Sequence, residues 1–193
     1  MIIGITGGTG CGKTTLLTEI QRCGGLVLDC DAIYHQLLAE NTDLLAAIEA
    51  RFPGTVENGT LQRKKLGNIV FNDKNALLDL NKITHKAIEK EVLSRLSCQP
   101  KLAAIDAIAL FESGLDQLCQ VTVAVTAPEE VRIRRLMQRD NITEEYAKNR
   151  IRAQHDDTWF RTKCDFVLVN DGTLADFQTK CVAFLRQVGI MDA

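Results

Sequence analysis

A glycine-rich loop between an apolar run and a helical pattern constrains this chain more than any other feature. Residues 2–6 are apolar and read as a short buried strand, and the leucine spacing after Lys13 predicts a helix. Between them, Gly7 to Thr14 satisfy the pattern G-x-x-x-x-G-K-[ST]. We call these eight residues the phosphate loop, because a strand, this spacing and a helix together predict a loop that holds nucleotide phosphates.

The residue types of the phosphate loop suit that chemistry. Glycines let backbone N–H groups turn toward phosphate oxygens, Lys13 would reach the β and γ phosphates, and Thr14 would offer its hydroxyl to Mg²⁺. A glycine turn before a helix, with no ligand, is the alternative interpretation. The loop spacing, the preceding strand and the following helix all match the motif, which favours the nucleotide-binding interpretation. The residues predicted to contact the nucleotide here are Gly8, Thr9, Gly10, Cys11, Gly12, Lys13, Thr14 and Thr15.

The loop alone leaves open a GTPase, an ATPase motor and a small-molecule kinase. No D-x-x-G sequence occurs, and the stretch most similar to N-K-x-D, residues 81–84, has Thr84 where the acid belongs. A regulatory GTPase is therefore disfavoured. Lys and Arg number 23 against 25 Asp and Glu, for a net charge of -2, which favours a small-molecule partner over nucleic acid or a membrane surface.

Four further apolar runs, separated by helical stretches, predict an α/β fold with a five-stranded parallel sheet in one domain, residues 1–193. Such sheets place ligand sites at the carboxyl ends of their strands. The four runs are Leu26–Leu28, Leu102–Ile105, Val121–Val125 and Phe166–Val169.

The seven cysteines include no C-x-x-C pair, and their odd number argues against a disulfide framework. The sequence contains no run of about 18 apolar residues, the length that would predict a membrane span. We therefore expect reduced thiols and a cytoplasmic location. Cys11 lies in the phosphate loop, where the helix N-terminus would lower its pKa and sensitise it to oxidants; the alternative is a small residue that fits the loop.

Asp29 and Asp31 follow the second apolar run. Asp31 is a candidate for accepting the proton of a substrate hydroxyl, with Asp29 in support, and both carboxylates would point to one side if the strand continued. The alternative is that Asp31 caps a helix that starts at Ala32. Asp106, at the end of another run, is either a magnesium acid or a strand-end turn residue.

Thr126 to Glu129 match a capping box that opens a helix to about Arg139. Arg132, Arg135 and Arg139 share one face of that helix. They are typical of a solvated face, but a lid that closes arginines over a phosphoryl group has the same pattern.

Taken in order along nearly the whole chain, several segments resemble the dephospho-CoA kinase family. The segments are ITGGTGCGKTT, LVLDCDAIYHQLL, NGTLQRKKLGNIVFND, LNKITHKAIEKEV, LFESGL, VTAPEEVRIRRLMQRD followed by AQ, and CDFVLVNDG. The resemblance implies a three-layer α/β/α P-loop kinase with a helical acceptor-binding region at 58–96 and a lid at 137–163. It implies transfer of the ATP γ-phosphate, with Mg²⁺, to the ribose 3′-hydroxyl of dephospho-CoA, the last step of coenzyme A synthesis.

The resemblance also assigns roles. Asp31 matches the catalytic base and Arg139 the lid arginine, while Lys13 completes the catalytic set. Thr6, Asp31, Arg63 and His85 match the acceptor side; Gln154 and the loop of Asn170 to Gly172 match positions near the nucleotide base.

Four residues depart from the family pattern: Cys11, His35, Lys86 and Ile108. They leave the loop, base and lid residues intact but put acceptor contacts in question. Another small P-loop kinase, for a nucleoside or a sugar acid, is the next candidate, and a nucleotide-dependent switch without an acceptor is the third.

Overall fold

The computed structural model describes residues 1–191. Its strands are β1 (Ile2–Thr6), β2 (Leu26–Asp29), β3 (Val56–Glu57), β4 (Thr60–Leu61), β5 (Ala103–Asp106), β6 (Val121–Thr126) and β7 (Phe166–Val169). Its α-helices are α1 (Lys13–Arg22), α2 (Cys30–Glu40), α3 (Thr42–Arg51), α4 (Arg63–Val70), α5 (Lys74–Leu96), α6 (Glu129–Asp140), α7 (Glu144–Arg152), α8 (Asp157–Lys163) and α9 (Leu174–Gln187), and a 3₁₀ helix spans Leu115–Leu118.

The five predicted strands form one parallel sheet in the order β2-β5-β1-β6-β7, which confirms the α/β prediction. Strand β1 lies at the centre, with Ile5 opposite Asp106 of β5 and Thr6 opposite Ala124 of β6. The carboxyl ends of three neighbouring strands therefore meet beside the phosphate loop.

The chain divides into two compact units. Within the described residues, the first comprises 1–27, 100–110 and 115–191, and the second comprises 28–99 and 111–114. Strand β2 contains the boundary between 27 and 28. The single domain stays a prediction.

The first unit is built around one face of the sheet. Alternate residues of β1, Ile3 and Ile5, are fully buried there, as the period of two in a strand requires. Helices α1 and α9 cover this face, with Leu16 of α1 and Phe177 of α9 among its buried side chains. A separate apolar cluster joins α6 to α7.

The second unit is mainly helical. Helices α2, α3 and α4 each pack against the long helix α5. Within this unit, β3 and β4 form a two-stranded hairpin. Asn58 and Gly59, at φ 50° and 71°, make its turn, and Asn-Gly is the pair that favours such hairpins. The predicted acceptor-binding region, 58–96, therefore contains part of this hairpin with α4 and α5.

None of the helices in the described chain is both long and apolar enough to cross a membrane.

Three hydrogen bonds join Asp165, the residue before β7, to Thr122 of β6. The Asp165 carboxylate accepts from the backbone N–H and the hydroxyl of Thr122, both at 2.8 Å, and the Asp165 N–H donates to that hydroxyl at 3.1 Å. These bonds tie the edge strand to its neighbour.

We expect Asp165→Ala to lower the free energy of unfolding by about 1–2 kcal/mol, because two bonds to a carboxylate are lost and Thr122 is buried. Denaturant titration measures it. The control is Asp171→Ala, which removes only an exposed ion pair with Lys180. Equal midpoints for the two variants would contradict the role of Asp165.

Candidate nucleotide site

The phosphate loop turns sharply between β1 and α1. Gly7, Gly10 and Gly12 have φ of 132°, 79° and 95°, a region in which residues with a Cβ are strained. Helix α1 begins with Gly12 as its N-cap and has no side-chain cap. Its first N–H groups are therefore left for an anion, toward which the helix also presents its positive end.

Side chains from outside the loop hold its carbonyl oxygens. The Thr9 oxygen accepts from Arg132 Nε at 3.0 Å, and the Gly10 oxygen accepts from Arg135 Nη1 at 3.2 Å. The Cys11 oxygen accepts from Asn170 Nδ2 at 2.9 Å. A loop that binds phosphate through N–H groups must direct its carbonyl oxygens away from the anion, and these bonds do so.

The glycines also permit helix α6 to approach the loop. A Cβ at Gly10 would lie 3.0 Å from the Arg132 carbonyl oxygen, and a Cβ at Gly8 would collide with the Arg132 guanidinium. A Cβ at Gly12 would likewise collide with the amide of Asn170. The glycine pattern therefore serves packing around the loop as well as its turn.

Lys13 lies across the loop. Its ammonium donates to the Gly7 carbonyl at 3.2 Å and lies 3.8 Å from the Asp106 carboxylate, with both charged side chains 15% exposed. Asp106 therefore lies beside the phosphate loop at the end of β5. This placement is compatible with both interpretations of Asp106, as a magnesium acid and as a strand-end turn residue, and its role stays a prediction.

The helix after β2 is capped by Asp29 and not by Asp31. Helix α2 begins at Cys30, and the Asp29 carboxylate accepts from the Ala32 N–H at 3.0 Å. The expectation that the strand continues to Asp31 is wrong, because the backbone already turns helical at Cys30. The capping alternative for Asp31 is also wrong, and its side chain is exposed in the first turn of α2.

The predicted capping box at Thr126 is absent from α6. Strand β6 runs through Thr126, so the helix starts later, with Pro128 as an N-cap that has no side-chain bond. The Thr126 hydroxyl is fully buried and makes no hydrogen bond to other residues in 1–191. Strand pairing to β7 has overridden the local capping signal.

The three arginines of α6 have different surroundings. Arg132 is 5% exposed and Arg135 contacts the loop, whereas the Arg139 side chain is 61% exposed and pairs with Asp140 at 2.7 Å. Hydrogen bonds from Arg139 and then Arg150 hold the pKa of Asp140 at about 2. Of these three arginines, only Arg139 therefore has the exposure of a solvated face, and no local pattern in the sequence predicts that Arg132 is buried.

The residues predicted for the acceptor side lie in different places. Thr6 is fully buried at the end of β1 and donates to the Ile108 carbonyl at 3.1 Å. Arg63 is the first residue of α4, and its Nη2 lies 3.4 Å from Nδ1 of His35. Burial lowers the pKa of His85, against the opposing effect of a hydrogen bond with the Glu112 backbone. Their contacts with a substrate stay predictions.

Asn170 and Gln154 contact the phosphate loop. Asn170 follows β7, is 4% exposed, and accepts from Arg135 Nη2 at 3.2 Å while donating to Cys11. Gln154 accepts from the Thr9 N–H at 2.8 Å. The sequence predicted a nucleotide role for both residues only through the family resemblance, and no local pattern indicates these contacts with the loop.

Cys11 does not have the environment of a reactive thiol. It is 1% exposed, and burial raises its pKa, an effect that Arg132 and Lys13 only partly oppose. Burial and the raised pKa therefore favour the interpretation of Cys11 as a small residue that fits the loop over the redox hypothesis.

A magnesium ion at a nucleotide site takes one or two protein ligands together with phosphate oxygens. The Thr14 hydroxyl, exposed in the first turn of α1, and the Asp106 carboxylate supply the oxygen donors that this ion prefers. Among residues 1–191 no group of three His, Cys, Asp or Glu side chains is arranged to hold a metal.

A phosphate loop after the central strand of a parallel α/β sheet, with a lysine over it and arginines beside it, defines a P-loop kinase of small molecules.

Comparisons with known proteins then identify the family. The dephospho-CoA kinase family model matches residues 1–176. The dephospho-CoA kinase of Lactobacillus johnsonii is 33% identical over 193 residues, covering 97% of this chain and 98% of the relative. A Thermus thermophilus crystal structure aligns with TM-score 0.81 and 32% identity over 97% of both chains. The Campylobacter jejuni dephospho-CoA kinase aligns with TM-score 0.66 and 29% identity, over 97% of this chain and 96% of that one. The chain belongs to the dephospho-CoA kinase family.

Limited alkylation tests the environment of Cys11. With limiting iodoacetamide near neutral pH, we expect Cys98, which is exposed, to be labelled well before Cys11, because a buried thiol with a raised pKa forms little thiolate. Peptide mass mapping measures the order. Labelling of Cys11 as fast as Cys98 would restore the redox interpretation.

Proposed function

We propose that this protein transfers the γ-phosphoryl group of ATP to the ribose 3′-hydroxyl of dephospho-CoA, which yields coenzyme A and ADP. The family match over residues 1–176 carries this proposal, because it names the acceptor that the phosphate loop alone leaves open. The family membership makes the chain a kinase of dephospho-CoA that acts at the last step of coenzyme A synthesis.

In this mechanism the phosphate loop and Lys13 hold the triphosphate. Residues Gly8 to Thr15 would surround it, and Lys13 would turn from the Gly7 carbonyl toward the β and γ phosphates, since a phosphate oxygen is the stronger acceptor for an ammonium. The carbonyls of Thr9, Gly10 and Cys11 already have donors, so the loop needs little rearrangement to bind an anion.

Asp31 would accept the proton of the 3′-hydroxyl. Its carboxylate is exposed and takes no part in the helix cap, because Asp29 fills that position. A carboxylate that accepts a proton as the hydroxyl attacks also orients that hydroxyl, which is the larger part of catalysis in phosphoryl transfer.

Arg139 would stabilise the charge on the moving phosphoryl group. It lies in the last turn of α6, at the start of the predicted lid, and is exposed and bound to Asp140. An exposed ion pair contributes little to stability, so exchanging Asp140 for a phosphoryl group costs little. We propose the remaining predicted contacts as before: Asn170 with the nucleotide, and Thr6, Arg63 and His85 with the acceptor.

The proposal includes Mg²⁺ on the Thr14 hydroxyl, where the ion would neutralise phosphate charge. A reducing compartment such as the cytoplasm fits a chain in which the seven cysteines form no disulfide within residues 1–191. The proposal includes no nucleic acid or membrane partner.

We expect Lys13→Ala and Asp31→Asn each to lower the rate of coenzyme A formation by at least about a hundredfold with the fold intact, because each removes a group that acts on the reacting atoms. Mass spectrometry of reactions with MgATP and dephospho-CoA measures the rate. Asp29→Asn is the matched control, since asparagine also caps helices well and the loss should be much smaller. Near-wild-type turnover of either variant would contradict its role.

For the lid arginine, Arg139→Met should lower kcat by about a hundredfold and leave the KM for dephospho-CoA within about threefold, because the contact forms mainly in the transition state. Arg150→Met removes the other cation on Asp140 and should have a much smaller effect. Equal effects from the two would assign the loss to the salt-bridge cluster instead.

A further inference from the structure

Gln154 has an unusual position for a residue matched to the nucleotide base. It lies just after α7, and its side-chain oxygen accepts two hydrogen bonds, from the Thr9 N–H at 2.8 Å and from Arg132 Nη2 at 3.2 Å. The Thr9 N–H belongs to the phosphate loop, and the Arg132 side chain binds to that loop. The amide oxygen of Gln154 is therefore already engaged in the protein.

Arg132 completes a closed ring with these groups. Its Nε donates to the Thr9 carbonyl at 3.0 Å, so the N–H and the carbonyl of Thr9 are both held, one by Gln154 and the other by Arg132. The two side chains are joined to each other by the third bond. One residue of the phosphate loop is thus fixed at both of its polar backbone groups.

Gly8 gives this ring its space. A Cβ at Gly8 would collide with Arg132 Nη2 and lie 3.1 Å from the Gln154 oxygen. The absence of a side chain at Gly8 therefore leaves room for the side chains of Arg132 and Gln154.

The same hydrogen bonds explain how the Arg132 guanidinium can be buried, with the residue only 5% exposed. A buried charge is costly unless hydrogen bonds satisfy it, and the acceptors recorded for Arg132 are Thr9 and Gln154. Removing the Gln154 oxygen would leave one donor of a buried cation and one backbone N–H of the loop unsatisfied together. The orientation of Arg132, and with it that of Thr9, depends on Gln154.

We propose that Gln154 is a positioning residue for the nucleotide phosphates, which acts through Thr9 and Arg132 on the shape of the phosphate loop and not through contact with the base. This inference rests on the proposed function, because it assumes that the loop binds a triphosphate. A loop that is held in its binding shape before the ligand arrives binds more tightly, since less ordering is required. The effect of Gln154 on nucleotide affinity should therefore not depend on which base the nucleotide carries.

The experiment compares Gln154→Met, which keeps the length of the side chain and removes the acceptor, with Gln120→Met. Gln120 is the matched control because its side-chain oxygen also accepts a backbone N–H of the first unit, that of Ile2 at 2.5 Å, at the opposite end of β1. Affinity is measured for three probes: ATP, GTP and inorganic tripolyphosphate, the last by competition with ATP. Thermal unfolding is recorded for each variant.

We expect Gln154→Met to lower the affinity for all three probes by a similar factor, about threefold to tenfold, which is the range for a lost hydrogen bond. Gln120→Met should leave all three affinities unchanged. Weaker binding of ATP alone would overturn the proposal and would indicate that Gln154 contacts the nucleotide base. Unchanged affinities, or an equal loss in Gln120→Met, would also overturn it.

Hydrogen exchange of the nucleotide-free protein gives a readout that does not depend on binding or activity. The Thr9 amide should exchange faster in Gln154→Met than in the wild-type protein, with the Ile2 amide unchanged, and the reverse pattern should hold in Gln120→Met. Equal exchange of Thr9 in both proteins would contradict the ring. If the wild-type protein bound neither ATP nor tripolyphosphate, the proposed function would fail instead.

Discussion

The structure around the nucleotide site depends on one constraint: a loop that binds phosphate through its N–H groups must keep its carbonyl oxygens bound elsewhere. Here Arg132, Arg135 and Asn170 bind the carbonyls of three successive residues. These side chains come from α6 and from the loop after β7. Parts of the chain more than a hundred residues from the phosphate loop therefore fix its conformation.

Sheet order brings those distant parts together. Because β5, β1, β6 and β7 are successive neighbours in the parallel sheet, the residues at their carboxyl ends lie along the same edge of the sheet. Asp106 at the end of β5 approaches Lys13, helix α6 after β6 packs on Gly10, and Asn170 after β7 reaches Cys11. Glycines at positions 10 and 12 leave room for α6 and for Asn170.

Local patterns in the sequence predicted the five strands of the parallel sheet and the phosphate loop, since the strand, glycine spacing and helix are encoded within about twenty residues. They failed at Thr126, where pairing with β7 extends the strand through the expected cap. They also failed between Asp29 and Asp31, because two nearby acids present the same capping signal and only the backbone decides between them.

The buried guanidinium of Arg132 lay beyond sequence reasoning for a physical reason. An arginine on an amphipathic helix is ordinarily solvated, and its burial here requires acceptors from Thr9 and Gln154, which no local pattern connects to it. For Cys11 the sequence left two interpretations open, a thiol activated by a helix N-terminus and a small residue that fits the loop, and burial among the core residues, which raises the pKa of the thiol, favours the second. In both cases burial decided the chemistry.

The measurement that tests the account most directly is the identity of the product. Wild-type protein would be incubated with MgATP and an equal mixture of dephospho-CoA, a nucleoside and shikimate, and the products analysed by mass and by phosphorus NMR. The account predicts that dephospho-CoA gains one phosphoryl group, on the ribose 3′-oxygen, and that the other acceptors stay unmodified. Phosphorylation of another acceptor in preference, or ATP binding without any phosphorylated product, would contradict it.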